Sequence, residues 1–365
     1  MKSYVAIGLM SGTSLDGVDV AFCRFNGRDD LWQYEILQAE TISYSDNWQK
    51  KLRNARNVTA QDLIKLHAEY GRLLGKMAKN FIDRHRLSPG FIASHGHTVF
   101  HQPAGGFTFQ LGNGAEIAAI TGKTVVCDFR TTDIAHGGQG APLVPVGDHM
   151  LFGDYDYCLN LGGFANVSVC KNGERLAWDI CPVNIVLNHL SRQRGLPFDK
   201  NGKLARKGTT DKTLLKKLNR IAFYHQKGPK SLGAEWLDKT FLPLLAESDK
   251  CVEDLLNTVV EHAAMQIAKS FDSVSHIKIL VTGGGAYNDY LTEKIAFYCG
   301  SKCDFIIPES KVIEYKEAMI FAFLGLLRLT GKPNTFKSVT GARSDSIGGA
   351  VYLGETTKNK DYLTE

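Results

Sequence analysis

Near its start the chain places two apolar runs, Val5–Met10 and Val18–Phe22, around a small polar loop, Ser11–Gly17. That pattern predicts a β-hairpin with a loop longer than a tight turn needs. A weakly similar copy opens the second half: the apolar stretch Tyr157–Leu161 meets Gly162 and Gly163, and an alternating stretch follows with Val167 and Val169 separated by Ser168. A third glycine run, Gly283, Gly284 and Gly285, follows the apolar stretch Ile277–Val281 and leads into a helix-like segment. Tyr34–Tyr44 supplies a third strand to the first half, and Phe91–Thr98, Phe107–Leu111 and Lys123–Asp128 read as further strands. Leu63, Leu66, Tyr70, Leu73, Leu74, Met77 and Phe81 recur at helical spacing, with Thr59 as N-cap and Asp62 three residues on. Asn113 is placed to cap a helix over Ala115–Ile120 that Gly122 closes. Thr258–Phe271 and Glu314–Leu329 are helical by periodicity.

The first loop carries chemistry as well as a turn. Glycines let backbone N–H groups approach an anion, and hydroxyls add donors. The loop Ser11–Gly17, with Gly12, Thr13, Ser14, Leu15 and Asp16 inside it, therefore reads as a cradle for nucleotide phosphates. A carboxylate beside phosphate makes sense with a divalent cation between them, so Asp16 is expected to act on Mg²⁺ through water. The plainer alternative is an ordinary Gly-rich hairpin. The copy at Gly162 and Gly163 and the turn at Gly283–Gly285 favour the cradle.

At 365 residues the chain is long enough for two domains, and 44% hydrophobic with 22% charged residues is an ordinary globular composition. The boundary is expected near Pro142–Asp148, giving units over 1–145 and 146–365. The net charge of +5 has no basic block behind it, so nucleic acid is not implied, and no apolar run reaches a membrane span of ~18 residues. Eight cysteines without a CxxC pair suggest buried reduced thiols in a cytoplasmic protein.

Several side chains stand at predicted strand ends, where ligands of α/β sheets bind. His95, His97 and His101 match no standard zinc spacing, and their loop, with Thr98, is a better sugar-binding candidate. Arg130, in a Gly-rich loop, suits a carboxylate or phosphate; the competing reading pairs it with Asp133 to stiffen the loop. Asp179 is either an N-cap or a general base. Lys316 and Glu317 open an apolar run, as surface decoration or as a helix N-terminus presenting Glu317.

The two Gly hairpins and the late strand–GGG–helix resemble the α/β, two-lobed actin-like ATPase fold of hexokinases and heat-shock chaperones, with mixed sheets flanked by helices. In that fold the hairpins hold phosphates and the late turn flanks the adenosine. More specifically, GLMSGTSLDGVDVA (8–21), SHGHTVFHQP (94–103), QLGNGAEIA (110–118), DFRTTDIAHGGQGAPLVP (128–145), LNLGGFANVS (159–168), GPKSLGAEWL (228–237), VTGGGAYNDYL (281–291), KEAMIFAFL (316–324) and SVTGA (338–342) resemble the anhydro-N-acetylmuramic acid kinases of bacterial cell-wall recycling. The resemblance implies an enzyme that uses ATP and water to open a 1,6-anhydro sugar and phosphorylate O6. It implies that Gly12–Asp19 hold the phosphates, that Thr98, Arg130 and Glu317 bind the sugar, that Asp179 is the base, and that the protein is a homodimer. Two departures stand out. Where the family usually reads Asp-Thr-Gly-Pro-Gly-Asn, this chain has Asp179-Ile180-Cys181-Pro182-Val183-Asn184, and His97 replaces a common Gln. A His there would add pH dependence near neutrality. The alternatives are a plain hexosamine kinase, a non-metabolic actin-like ATPase module, and a metal hydrolase built on the three histidines.

Overall fold

A computed structural model of the protein describes residues 2–12, 15–28, 31–226, 229–271 and 276–355. The strands are β1 (Lys2–Ser11), β2 (Gly17–Arg28), β3 (Leu31–Ser43), β4 (Phe91–Ser94), β5 (His97–Gln102), β6 (Phe107–Leu111), β7 (Thr124–Cys127), β8 (Tyr157–Leu161), β9 (Phe164–Lys171), β10 (Glu174–Pro182), β11 (Ile277–Thr282), β12 (Cys303–Ile306) and β13 (Ala350–Tyr352). They divide between two compact units, Met1–Phe152 with Tyr315–Glu365, and Gly153–Glu314. The helix Val144–Leu151, which overlaps the expected boundary at Pro142–Asp148, falls in the first unit. A second crossing falls inside the helix Ser310–Leu329, which returns the chain to the first unit.

The two units repeat one topology. The first sheet runs β13-β7-β4-β1-β2-β3 and the second β10-β9-β8-β11-β12. In each, three consecutive strands pair antiparallel and two more follow parallel to the first of them. In the first unit β13 adds an antiparallel edge to β7. This is the mixed-sheet α/β architecture expected from the paired Gly hairpins. Each of these hairpins joins the first two strands of its sheet, β1 to β2 and β8 to β9.

The run Val5–Met10 is continuously apolar because both faces of β1 are covered. Successive side chains alternate faces. Val5, Ile7 and Leu9 join the cluster that holds Tyr70, Leu74 and Phe81 of the helix Ala60–His85. On the other face Gly8 meets the helix Ser310–Leu329 so closely that a Cβ would overlap the Ala318 carbonyl oxygen. Gly8→Ala therefore forces two backbones apart. A loss of about 1–3 kcal/mol, the ordinary cost of overpacking or more, is expected in a urea titration; an unchanged midpoint would contradict the close approach.

Local caps follow the sequence. Thr59 Oγ1 accepts the Asp62 N–H at 3.2 Å, and Asn113 Oδ1 accepts the Ala115 N–H at 2.9 Å ahead of the helix Gly114–Thr121, which Gly122 closes at φ 67°. Two helices begin earlier than their apolar periodicity suggests, at Val252 and Ser310. Glu317 consequently lies inside its helix, beyond the first turn, and not at an N-terminus. The cysteines form no disulfide among the described residues; Cys23, Cys127, Cys158 and Cys181 are buried, Cys170 and Cys251 exposed. Among the described residues no helix is long and apolar enough to cross a membrane.

Candidate active site

The β1–β2 loop is tied to the first unit by hydroxyls. Ser11 Oγ bonds the Tyr44 hydroxyl at 2.7 Å, which bonds the Tyr70 hydroxyl at 2.5 Å. Burial pushes both phenols up, so both remain proton-bearing donors. Leu15 has φ 60°, a left-handed backbone at a non-glycine residue. The exposed Asp16 accepts the Gly17 N–H at 3.1 Å on Oδ1, and its carbonyl accepts the Tyr44 N–H at 3.2 Å. Gly17 has no room for a Cβ, which would sit 2.6 Å from the Ile42 carbonyl oxygen. Val18 is fully buried, and Asp19 accepts the Thr41 hydroxyl at 2.6 Å. Gly12 is half-buried; Thr13 and Ser14, also expected in the cradle, lie outside the described residues.

The Gly8–Ala318 approach brings Glu317 to this hairpin. Glu317 is open to solvent on one side and walled by protein on the others, and lost hydration lifts its carboxyl above the ordinary range. Lys316 and Arg130 draw it back; Asp19 and Asp148 push it further up. Beside it Lys316 is buried, with Nζ 2.7 Å from Asp148 Oδ1 and 5.0 Å from the Phe152 ring centre. Lys316 is thus a buried ion-pair partner and not surface decoration.

Arg130 stands just after β7. Its Nε and Nη2 donate to His95 Nε2 at 3.2 and 2.8 Å, and Nη1 donates to the Gly140 carbonyl at 2.7 Å. Desolvation pushes its pKa down to about 10, with Glu317 opposing. The Arg130–Asp133 pair offered by sequence proximity is not formed. Asp133 is fully buried and accepts from the Gly140 N–H at 2.7 Å and the Thr340 hydroxyl at 2.8 Å. Arg130 and Asp133 hold the same glycine from opposite sides of its peptide chain, and both brace the Gly-rich loop.

Thr98 is half-buried on β5, opposite Gln110 of β6, where a register shift between Thr98 and Phe100 re-aims the strand. Gln110 Nε2 donates to Thr98 Oγ1 at 3.5 Å. His97 is buried, its Nδ1 without a hydrogen-bond partner among the described residues, and burial lowers its pKa, so it stays neutral at neutral pH. The pH dependence near neutrality expected from this histidine is not supported. His101 is exposed and bonds the Thr108 hydroxyl at 3.2 Å. Among the described residues no group of three His, Cys, Asp or Glu side chains is arranged to hold a metal ion.

The second unit gathers the remaining candidates. Asp179 is half-buried on β10, at a register shift against β9. Its Oδ2 accepts the Leu232 N–H at 2.8 Å, and its own N–H donates to the Lys230 carbonyl at 2.9 Å. Burial raises its carboxyl above the ordinary range, and the Leu232 bond partly offsets this. It caps no helix; the helix Asn184–Arg192 begins after Val183. The glycine turns meet one another here. A Cβ on Gly283, at φ 81°, would overlap Asn160 Oδ1, and one on Gly285 would lie 2.7 Å from the Leu161 Cβ. Gly284 faces Asn184, whose Nδ2 donates to the Leu161 carbonyl at 2.9 Å. Asn184 thus clasps the β8–β9 turn to the Gly283–Gly285 turn, a role its sequence context does not signal. Gly162 and Gly163 differ from these. A Cβ would find ordinary space at Gly163 and only mild crowding at Gly162, so protein packing does not explain their being glycine.

The family model described as anhydro-N-acetylmuramic acid kinase matches residues 4–354. The chain belongs to that family. An anhydro-N-acetylmuramic acid kinase of Legionella pneumophila (strain Lens) is 34% identical over 362 residues, covering 95% of this chain and 97% of the relative. One from Gloeobacter violaceus is 35% identical over 379 residues, covering 97% and 99%. A solved ROK family glucokinase from Streptomyces griseus, in complex with glucose and AMPPNP, aligns over 88% of this chain and 98% of that chain at 11% identity and a TM-score of 0.36.

As a member of the anhydro-N-acetylmuramic acid kinase family the protein is an ATP-dependent sugar kinase, which sets aside the non-metabolic ATPase module and the metal hydrolase. In the departure after Asp179 noted from the sequence, Cys181 and Val183 are fully buried in the second unit's core, with Cys181 Sγ 3.9 Å from the Ala263 carbonyl. Their added bulk is absorbed by packing, and Val183 keeps a negative φ of −131°.

Proposed function

We propose that the protein uses ATP and water to open the 1,6-anhydro ring of 1,6-anhydro-N-acetylmuramic acid and phosphorylates O6, giving N-acetylmuramate 6-phosphate for peptidoglycan recycling. The observation that carries this reading is the setting of Asp179. One carboxylate oxygen is fixed by the Leu232 N–H, the other has no hydrogen-bond partner among the described residues, and the group's proton affinity is raised. That is the state of a general base.

The bonding follows from the substrate. A bridged C1–O6 oxygen has no proton to remove, so water attacks C1 and gives its proton to Asp179. The C1–O6 bond breaks, and O6 takes the γ-phosphoryl group as ADP leaves. Phosphorus receives the charge that an acid would neutralise in a glycosidase. Thr98, Glu317 and Arg130 are assigned to the sugar. A guanidinium has five N–H donors; three serve His95 and Gly140, which leaves one on each terminal nitrogen for the lactyl carboxylate. Gly12–Asp19, Gly162 and Gly163 are assigned to the phosphates and Gly283–Gly285 to the adenosine side.

Oxygen donors at Asp16 and Asp19 suit a hard cation held largely by phosphate and water, so Mg²⁺ belongs to the reading. Bound there, it would neutralise phosphate charge. A homodimer, implied by the family resemblance, and a cytoplasmic location, suggested by the cysteine pattern, complete it. The test is ATP consumption with anhydro-N-acetylmuramic acid, with its N-acetylglucosamine analogue and without sugar. Turnover dependent on the anhydro sugar is expected. Preference for the free, ring-opened sugar would favour the plain hexosamine kinase.

A further inference from the structure

We infer that His95 is a positioning residue for the sugar: as a neutral imidazole bearing its proton on Nδ1, it receives two N–H groups of Arg130 and fixes the guanidinium so that its remaining donors serve the substrate's anion. The inference rests on the reading of Arg130 as the carboxylate-binding group.

The geometry leaves His95 little choice. It is 6% exposed, and its ring lies 4.7 Å from that of Phe321. Nδ1 donates to the Gly96 carbonyl at 2.8 Å, so Nε2 carries the lone pair. Gly96 has φ 73°, and a Cβ there would overlap the Leu111 carbonyl oxygen; the turn that presents this carbonyl to the ring requires glycine. Nε2 then faces the Nε and Nη2 of Arg130, 3.2 and 2.8 Å away, while Gly140 fixes Nη1. A proton on Nε2 would set an N–H against two others and a cation against a cation.

The charged and titratable groups around the pair act in the same sense. Burial, then Arg130, and more weakly His97 hold His95 well below the ordinary histidine range; the Gly96 and Ser11 backbones oppose them. Glu317 faces Arg130 and keeps it charged. Lys316, Asp19 and Asp148 act on Glu317. His95 is thus an acceptor throughout the neutral range, a different use of histidine from proton transfer.

The test uses the full chain with ATP, anhydro-N-acetylmuramic acid and an analogue lacking the lactyl group. His95→Leu removes the acceptor at similar size. The KM for the lactyl sugar is expected to rise about 10-fold or more, the worth of a hydrogen bond to a charged group. The KM for ATP and for the analogue should move less than about twofold. His95→Gln, which supplies an amide oxygen, should recover most of the loss. In an Arg130→Lys background His95→Leu should add little, because the two act as one unit. Equal losses for ATP and sugar, equal losses in Leu and Gln, or a full additive loss beside Arg130→Lys would overturn the inference. If Arg130→Lys itself fails to distinguish the lactyl sugar from the analogue, the Arg130 reading fails and this inference with it. Should His95→Leu not fold, ¹⁵N NMR of the wild-type imidazole decides: a neutral Nδ1–H ring with a bare Nε2 is expected, and an Nε2–H tautomer or an imidazolium contradicts it.

Discussion

Asp179→Asn is expected to lower kcat by about 10²–10⁴-fold, the usual worth of general-base help, while Mg-ATP and the sugar still bind. The amide preserves the shape and can still accept the Leu232 N–H, but it cannot take a proton from water. Stability separates this loss from misfolding. A half-buried carboxyl whose pKa is raised in the fold is penalised when ionised, so its charge weakens the folded state above that pKa and protonation relieves the penalty. The neutral Asn should therefore be at least as stable as wild type at neutral pH. In the wild type, kcat/KM should fall with acid through a limb lying above the ordinary Asp value of about 3.9. Unchanged turnover in Asp179→Asn, or a melting temperature that drops along with activity, would remove Asp179 from the base role.

Arg130→Lys is expected to raise the KM for anhydro-N-acetylmuramic acid about 10- to 100-fold, and the KM for an analogue without the lactyl group far less. A fork of planar donors is replaced by one compact ammonium, which cannot serve His95, Gly140 and a carboxylate together. Charge-assisted bonds of this kind are worth about 1.5–3 kcal/mol each. Steady-state kinetics with the two sugars checks it. Equal losses would move Arg130 to the ring or the phosphate.

What the sequence made legible was mostly local. The Gly hairpins, the caps at Thr59 and Asn113 and the long helices depend on residues within a few positions of each other, and periodicity reports those. The limits of apolar runs were poorer guides. β2 runs to Arg28 although its apolar run stops at Phe22, because alternation continues: Arg24 is met across the strand pair by Glu35 at 3.0 Å. The start at Ser310 of the helix that carries Glu317 is not legible from periodicity, because its first turn, Ser310–Glu314, mixes polar residues with the buried Val312 and Ile313 and leaves no clean stripe.

The site's support was the part that could not be read. Sequence proximity pairs Arg130 with Asp133, yet the partners lie elsewhere: His95, 35 positions away, for the arginine, and Thr340, 207 positions away, for the aspartate. They come together because β4 and β7 lie side by side in the sheet, with the late segment holding the loop after β7 through Thr340. The partner of Asn184 likewise lies outside its own segment, and its clasp on Leu161 exists only once β8, β11 and the helix after β10 are assembled. The replacement of glycine by Cys181 and Val183 looks disruptive in one dimension and is accommodated in three, since both side chains enter the core.

The coupling of ring hydrolysis to phosphoryl transfer is tested most directly by turnover in ¹⁸O-labelled water, sampled early and compared with an anomeric-exchange control. Water attack at C1 predicts label on C1 of the sugar phosphate and none on the transferred phosphoryl group, because O6 is the atom that reaches phosphorus. Label in the phosphoryl group, or no label at C1 above the control, would contradict it.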